Sequence, residues 1–338
     1  MNESSATGNQ LVFVRRALNL WLPASVNLGI ASILAPAMNA LLARAPNPEA
    51  SIAGYAIALG VISIVALPQF RIQQLTLVFL TDRRALGSLR RFVAAISVIV
   101  GSVSFVVAFT PVSGMLLEGV FSAKGELLIQ AQAGLAVLSP LPVLLVARTH
   151  LYGAALRLGK PRLVWIGTGI GAGGAVGMGA ALLAVGVQGA IAAGTATTLA
   201  ALVETIVLII ATHGPLRHEL REWSTDGDDT SLGAIGRFFA PLIVAAFLPA
   251  ATTPVLNAAL ARSANPEASI AAFAISLGLF QALTLLLWGA QPTILALLAR
   301  GDSMRRVTVF TNSDSQKTVS KMNTVRSVRS ILETSAMK

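Results

Sequence analysis

The chain has 338 residues, of which 54% are hydrophobic and only 12% are charged, and its mean hydropathy is +0.73. Because soluble domains carry about 25% charged residues, this composition excludes an ordinary soluble enzyme and indicates an integral membrane protein. The net charge is +10, but the basic residues lie in short loops between apolar runs, so they indicate topology and not nucleic-acid binding. With no cysteine and only three histidines, the sequence predicts no metal site and no cofactor.

Eight apolar spans follow the polar N-terminal segment 1–16. A helix needs roughly 20 apolar residues to cross a bilayer, so eight crossings fit these runs. Isolated strands cannot satisfy their backbone groups in lipid, so we predict an all-α polytopic membrane protein. The predicted spans are 17–43, 51–81, 92–109, 127–147, two within 163–203 that divide near 187–189, 238–261 and 268–299.

The basic residues alternate between the two sides of these spans. Arg15 and Arg16 precede the first span, and further basic residues follow the second, fourth, sixth and eighth. The opposite loops carry only Arg44, Lys124 and Arg262. The positive-inside rule therefore predicts that both termini are cytoplasmic, in a plasma membrane of the bacterial inner-membrane type.

An internal repeat relates the first two spans to the last two. Residues 39–61 match residues 257–279 at 16 of 23 positions, and the same spacing pairs Pro36 with Pro254. Both copies start on the same side, so the repeat is parallel, with its axis along the membrane normal. The predicted domains are a first six-helix lobe at 17–213, a cytoplasmic linker at 214–237, the first two helices of an incomplete second lobe at 238–299, and a cytoplasmic tail at 300–338.

The tail differs from the rest of the chain in composition. It is rich in serine and threonine, and it carries three of the five lysines. One interpretation is a genuine tail that forms a basic interfacial helix. The other is a truncation or frameshift after about residue 306, which the abrupt change of composition favours.

Four segments carry a family resemblance. They are Thr253–Asn257 with Arg262, Ala53–Leu59 followed by Pro68, Pro142–Gly153, and Val185–Ala190 followed by Glu204. In order and spacing they resemble the multidrug/oligosaccharidyl-lipid/polysaccharide (MOP, MATE-like) flippase superfamily, and within it the progressive ankylosis (ANK-like) transporters. The resemblance implies two six-helix lobes and a secondary transporter that exports anionic metabolites of the pyrophosphate, nucleotide or citrate class. The last four helices of that family have no counterpart in this chain.

Two ionisable residues lie inside predicted spans, where burial is costly and function is the default explanation. The first is Arg71, which is flanked by amide side chains and whose planar guanidinium suits bidentate binding of a carboxylate or phosphate. The alternative is that it snorkels to the headgroups near the cytoplasmic end of its span. The predicted substrate-binding residues are Arg71, Gln69, Gln73, Gln74, Asn27 and Gln281.

The second ionisable residue is Glu204, which lies among threonines in the sixth span. We predict it as a proton-coupling carboxylate, and the alternative is a structural hydrogen bond to a neighbouring helix. Arg148 and His150 follow the predicted end of the fourth span. They are candidates for a cytoplasmic gate, and the alternative is that they anchor the topology.

The sequence offers no nucleophile–base pair, metal cluster or phosphate loop, so no enzyme is predicted. The glycine-rich run 169–174 follows no strand and is assigned to close helix packing. The leading interpretation is a secondary transporter of organic or phosphorylated anions that works by rocking of two lobes, with the lipid bilayer and a small anionic solute as partners. The alternatives are a MATE-like drug/cation antiporter or lipid flippase, and a non-transporting fragment or scaffold from a truncated gene. Self-association, or a partner that completes the second lobe, is left open; no nucleic acid is expected.

Overall fold

The computed structural model describes residues 33–158, 160–187, 189–219 and 231–288. Within these ranges the regular structure is helical throughout. Six helices there are long and apolar enough to cross a membrane, or seven if one bent pair counts as a single span. The predicted all-α membrane fold is therefore confirmed.

Eleven helices make up the described part of the chain. In order they are α1 (Ile33–Leu42), α2 (Pro48–Val65), α3 (Gln69–Phe79), α4 (Arg83–Phe109), α5 (Val112–Gly119), α6 (Gly125–Leu138), α7 (Leu141–Arg157), α8 (Pro161–Ala184), α9 (Gly189–Glu219), α10 (Leu232–Leu260) and α11 (Pro266–Trp288).

The predicted spans correspond to these helices in order, with α5 as an extra short helix in a loop. The second span is formed by α2 with α3, and the fourth by α6 with α7. Of the predicted first span only α1 is described, and the tail 300–338 lies outside the described residues. The orientation and the domain boundaries stay predictions.

Proline explains both interruptions. It has no backbone N–H, and its ring clashes with the preceding helical turn. Pro68 separates α2 from α3, and Pro140 separates α6 from α7, which meet at a bend of 44°. The second and the fourth predicted span are therefore each built from two helical segments.

The fourth span is longer than predicted. The prediction ended it at Ala147, before the first charged side chain, but α7 continues to Arg157. Arg148 and His150 therefore lie within this helix, beyond the predicted end of the apolar run. Both side chains have polar partners on neighbouring helices, which accommodate them within the helix.

The two copies of the repeat begin their second helix alike. Pro48 opens α2 and Pro266 opens α11, where a missing N–H costs nothing. Glu49 and Glu267 follow in the first turn, where a negative charge favours the helix dipole. The sequence repeat is thus also a repeat of local structure.

The copies also contact each other reciprocally. Asn39 Nδ2 donates to the carbonyl of Ala274 at 3.1 Å, and its repeat partner Asn257 donates to the carbonyl of Ala56 at 3.4 Å. Ala56 and Ala274 are themselves repeat partners. We call these two hydrogen bonds the reciprocal asparagine contacts.

A contact between a proline and a glycine also occurs in both directions between the two copies. A Cβ atom placed on Gly60 would lie 3.5 Å from Pro254, and one placed on Gly278 would lie 3.3 Å from Pro36. Both glycines therefore face the first helix of the opposite copy. The four helices α1, α2, α10 and α11 accordingly pack about a pseudo-twofold axis.

Close packing of small residues fixes the first lobe. A Cβ atom on Gly54 of α2 would lie 2.6 Å from Gln130 Cβ of α6, and one on Gly134 of α6 would lie 2.9 Å from Ala58 Cβ. Small residues permit this approach of helix backbones in a membrane protein. A second apolar cluster joins α3, α4 and α7 to α10, with edge-to-face contacts of Phe79 with Phe238 and of Phe92 with Phe239.

Candidate functional site

Arg71 lies at the third position of α3, directly after the proline break. The buried face of this short helix carries Ile72, Leu75 and Thr76, whereas Arg71 is half-buried. It precedes the end of the helix by eight residues, or about 12 Å at 1.5 Å per residue. The guanidinium is therefore attached about two helical turns before the end of α3.

The polar contacts of Arg71 stay within its own helix. One Nη donates to Gln74 Oε1 at 3.3 Å, while Nε is buried without a hydrogen-bond partner among the described residues. Gln69 and Gln73 are half-buried, and Gln74 is exposed. In the part of the chain that the structure describes, no carboxylate forms an ion pair with Arg71.

Glu204 lies near the middle of α9 and is the centre of a second polar group. Its side chain is only 1% exposed. Arg148 of α7 donates to Glu204 Oε2 at 2.8 Å, which makes a charge-assisted hydrogen bond within an ion pair. The same guanidinium lies 5.7 Å from the centre of the Tyr152 ring, within the range of a cation–π contact.

Three helices meet at this carboxylate. The Tyr152 hydroxyl of α7 donates to Glu204 Oε1 and lies 2.9 Å from the Thr168 hydroxyl of α8. Gly171, also on α8, leaves the space that Glu204 occupies, because a Cβ there would overlap Glu204 Oε2. We call Glu204, Arg148, Tyr152, Thr168 and Gly171 the Glu204 cluster.

The Glu204 cluster contains an ion pair whose carboxylate is buried between helices. Breaking such a pair leaves a buried charge without compensation, at a cost of about 3–5 kcal/mol. Transfer of a proton to Glu204 would leave a neutral acid next to Arg148. Arg148 also has a buried Nε without a hydrogen-bond partner among the described residues, so its guanidinium is not saturated.

His150 joins α7 to α3. Its Nδ1 lies 2.9 Å from the Thr76 hydroxyl, which in turn donates to the carbonyl of Ile72. The Thr76 hydroxyl has one proton, which it donates to the carbonyl of Ile72. In the second hydrogen bond the Thr76 oxygen is therefore the acceptor, and His150 Nδ1 is the donor. His150 also lines a cavity of about 240 Å³ between α4, α7 and α9.

The remaining predicted site residues are less informative. Gln281 lies exposed on α11, and Asn27 lies outside the described residues. Among the described contacts, Glu204 and Arg148 form one cluster, and Arg71 with Gln74 forms another. The sequence thus placed a coupling candidate and a gate candidate separately, and the structure joins them.

Sequence reasoning missed three members of the Glu204 cluster. Tyr152 follows Arg148 by four residues, the spacing of neighbours on one helix face, so its proximity was open to prediction. Thr168 and Gly171 lie in or near the glycine-rich run, but their proximity to Glu204 can be predicted only once α8 is known to pack on α9. Such a pairing of helices is a tertiary fact that the run itself does not specify.

The fold is similar to that of solved MATE transporters. The MATE multidrug transporter DinF-BH, in a ligand complex, superposes with a TM-score of 0.62 at 15% identity, over 89% of this chain and 66% of that one. A multidrug resistance MATE family transporter gives a TM-score of 0.55 at 18% identity in its inward-facing conformation, over 87% and 68%. An outward-facing MATE conformation gives 0.50 at 16% identity, over 90% and 75%.

No protein-family model matches the chain, and no curated protein matches it. At these identities the similarity concerns the fold. The chain spans about two thirds of the length of the transporters with which it superposes.

Proposed function

We propose that this integral membrane protein is a secondary transporter of small organic or phosphorylated anions, of the pyrophosphate, nucleotide or citrate class. Two lobes related by the internal repeat would rock against each other to expose the solute to one side at a time. The transporter fold supports the mode of action. The charge of Arg71, which no described carboxylate compensates, carries the proposal of an anion.

The charge balance within the spans favours an anionic solute. An arginine without a carboxylate partner is costly inside a membrane and is usually retained for a function. Arg71 keeps a buried Nε without a hydrogen bond to the described residues, and an incoming carboxylate or phosphate would accept from it. The neighbouring amides of Gln69 and Gln73 would supply further donors.

A cation antiporter is the principal alternative, because two of the similar structures are called multidrug transporters. Such an antiporter needs a carboxylate that is free to meet the cation. Among the described helix interiors the buried carboxylate is Glu204, and Arg148 already neutralises it. A lipid flippase would need a wide basic cavity, which Arg71 alone does not supply.

The test is flux into proteoliposomes that contain the purified chain. We expect uptake of labelled pyrophosphate, ATP or citrate, and none of a lipophilic dye cation. Arg71→Gln should lower anion uptake at least tenfold, because a charge-assisted hydrogen bond contributes about 1.5–3 kcal/mol. Arg71→Lys should be intermediate, since it keeps the charge and loses the planar fork.

The matched control is Arg84→Gln, which removes an exposed arginine at the start of α4. It should leave uptake unchanged. Uptake of the dye cation in place of the anions would favour the antiporter. Absence of any flux from correctly inserted protein would favour a fragment or scaffold that does not transport.

A further inference from the structure

A second basic site lies between α4, α7 and α9. It is a cavity of about 240 Å³. Its lining consists of Arg90, His150, Leu151, Ile209, Thr212, His213 and Leu216. Three of these seven residues are basic, and none is acidic.

We infer that this cavity binds a phosphate group, as a phosphomonoester or phosphodiester. Arg90 and His213 are exposed at the cavity, where their N–H groups can donate to phosphate oxygens. Arg90 forms no ion pair with any described carboxylate, so its charge is available. This inference does not depend on the identity of the transported solute.

The size of the cavity limits the ligand. Pockets that enclose a drug-sized molecule measure about 300–1,000 Å³, so 240 Å³ admits a small group or the head of a larger molecule. A phosphate fits that description. A whole nucleotide or a multi-ring drug does not.

The position of the cavity brings a phosphate within reach. Arg90 lies seven residues after the start of α4, and His213 lies six residues before the end of α9. Both are thus about 10 Å from the helix ends that the basic loops assign to the cytoplasmic side. Basic pockets between helices on the cytoplasmic side of a membrane bind anionic lipid headgroups.

The lining of the cavity has an apolar part and a basic part. Leu151, Ile209 and Leu216 provide an apolar wall next to the basic side chains, and Ile209 is 50% exposed on the outer surface of α9. A phospholipid presents the same combination of phosphate and acyl chain. A free phosphate would use the basic part alone.

Native mass spectrometry of the purified full chain separates these two sources. The detergent-solubilised protein is titrated with phosphatidylglycerol, with a diacylglycerol of the same acyl chains, and with inorganic phosphate. We expect retention of one phosphatidylglycerol and not of the diacylglycerol. Competition by inorganic phosphate would show that the site accepts any phosphate group. Lack of competition would show that it needs the phospholipid. Either outcome supports the inference if binding needs Arg90.

Variants decide whether binding occurs at this cavity. Arg90→Gln and His213→Gln should each weaken binding about tenfold, which corresponds to loss of one charge-assisted hydrogen bond. Both side chains are exposed, so neither substitution removes packing from the core. The control is Arg91→Gln, at an exposed arginine that does not line the cavity. Equal binding by wild type and both cavity variants, or equal retention of the diacylglycerol, would overturn the inference.

Discussion

Two arginines on neighbouring helices differ in whether a carboxylate compensates their charge. Arg148 is held by Glu204 and lies against Tyr152, so its charge is compensated inside the lobe. Arg71 has only an amide partner on its own helix among the described residues. This difference supports the proposed role of Arg71 in solute binding. Glu204 stays the proposed coupling residue, because a proton on Glu204 would change the charge next to Arg148.

Proton coupling through Glu204 has a direct consequence for flux. Glu204→Gln keeps the shape of the side chain and removes its titration, so we expect uptake to lose its dependence on a pH gradient. The measurement is initial uptake with and without an imposed gradient. Glu118→Gln, at an exposed carboxylate on α5, is the matched control and should keep the wild-type response. A gradient response retained in Glu204→Gln would exclude the coupling role.

The space for Glu204 is provided by Gly171. Gly171→Ala would place a methyl group on the carboxylate oxygen that accepts from Arg148, so the pair must shift. We expect the free energy of unfolding to fall by about 1–3 kcal/mol. Denaturant titration in detergent measures this loss.

Gly173, two residues further along α8, has open space around it and provides the control. Gly173→Ala should be neutral or raise stability slightly, because alanine is the better helix former. Equal losses in both variants would show that the effect comes from the helix backbone and not from Glu204.

At the scale of helices, the reciprocal asparagine contacts join the two copies of the repeat. Asn39 and Asn257 lie next to the loops that carry Arg44 and Arg262, on the side predicted to be outside. Contacts that close one side of the interface between the lobes are what a rocking transporter needs in an inward-open state. Their pairwise equivalence indicates that both copies contribute alike.

Equivalence of the two contacts is testable. Asn39→Ala and Asn257→Ala should each lower the free energy of unfolding by about 0.6 kcal/mol, the average for interhelical hydrogen bonds in membrane proteins. Thermal unfolding of each variant provides the comparison. Asn47→Ala is the control with no expected change, because Asn47 is exposed and its side chain makes no capping hydrogen bond to α2. A loss confined to one of the two contact asparagines would contradict the symmetric arrangement.

The helix order was predictable because each span is an apolar run of sufficient length. The end of the fourth span was not, since Arg148 resembles a loop residue until its partner on α9 is known. The repeat in residues 39–61 and 257–279 predicted a parallel arrangement, but it did not specify that repeat partners would contact each other. These errors and omissions share one cause: a sequence shows the cost of a buried polar group and not the neighbour that offsets it.

On the scale of the whole molecule, the described residues contain a first lobe and two helices, α10 and α11, that repeat its beginning. The chain spans about two thirds of the similar transporters. A partner or self-association that completes the second lobe stays a prediction. Transport by rocking of two lobes nevertheless requires relative movement between α1–α2 and α10–α11.

Cross-linking across the reciprocal asparagine contacts tests that requirement, and the absence of native cysteine makes the experiment clean. The variants are Asn39→Cys with Ala274→Cys, and Ala56→Cys with Asn257→Cys. Anion uptake is measured in proteoliposomes before oxidation, after oxidation, and after reduction. We expect each cross-link to lower uptake at least tenfold, and reduction to restore it. Equal uptake by the oxidised and reduced protein would contradict transport by rocking of the two lobes.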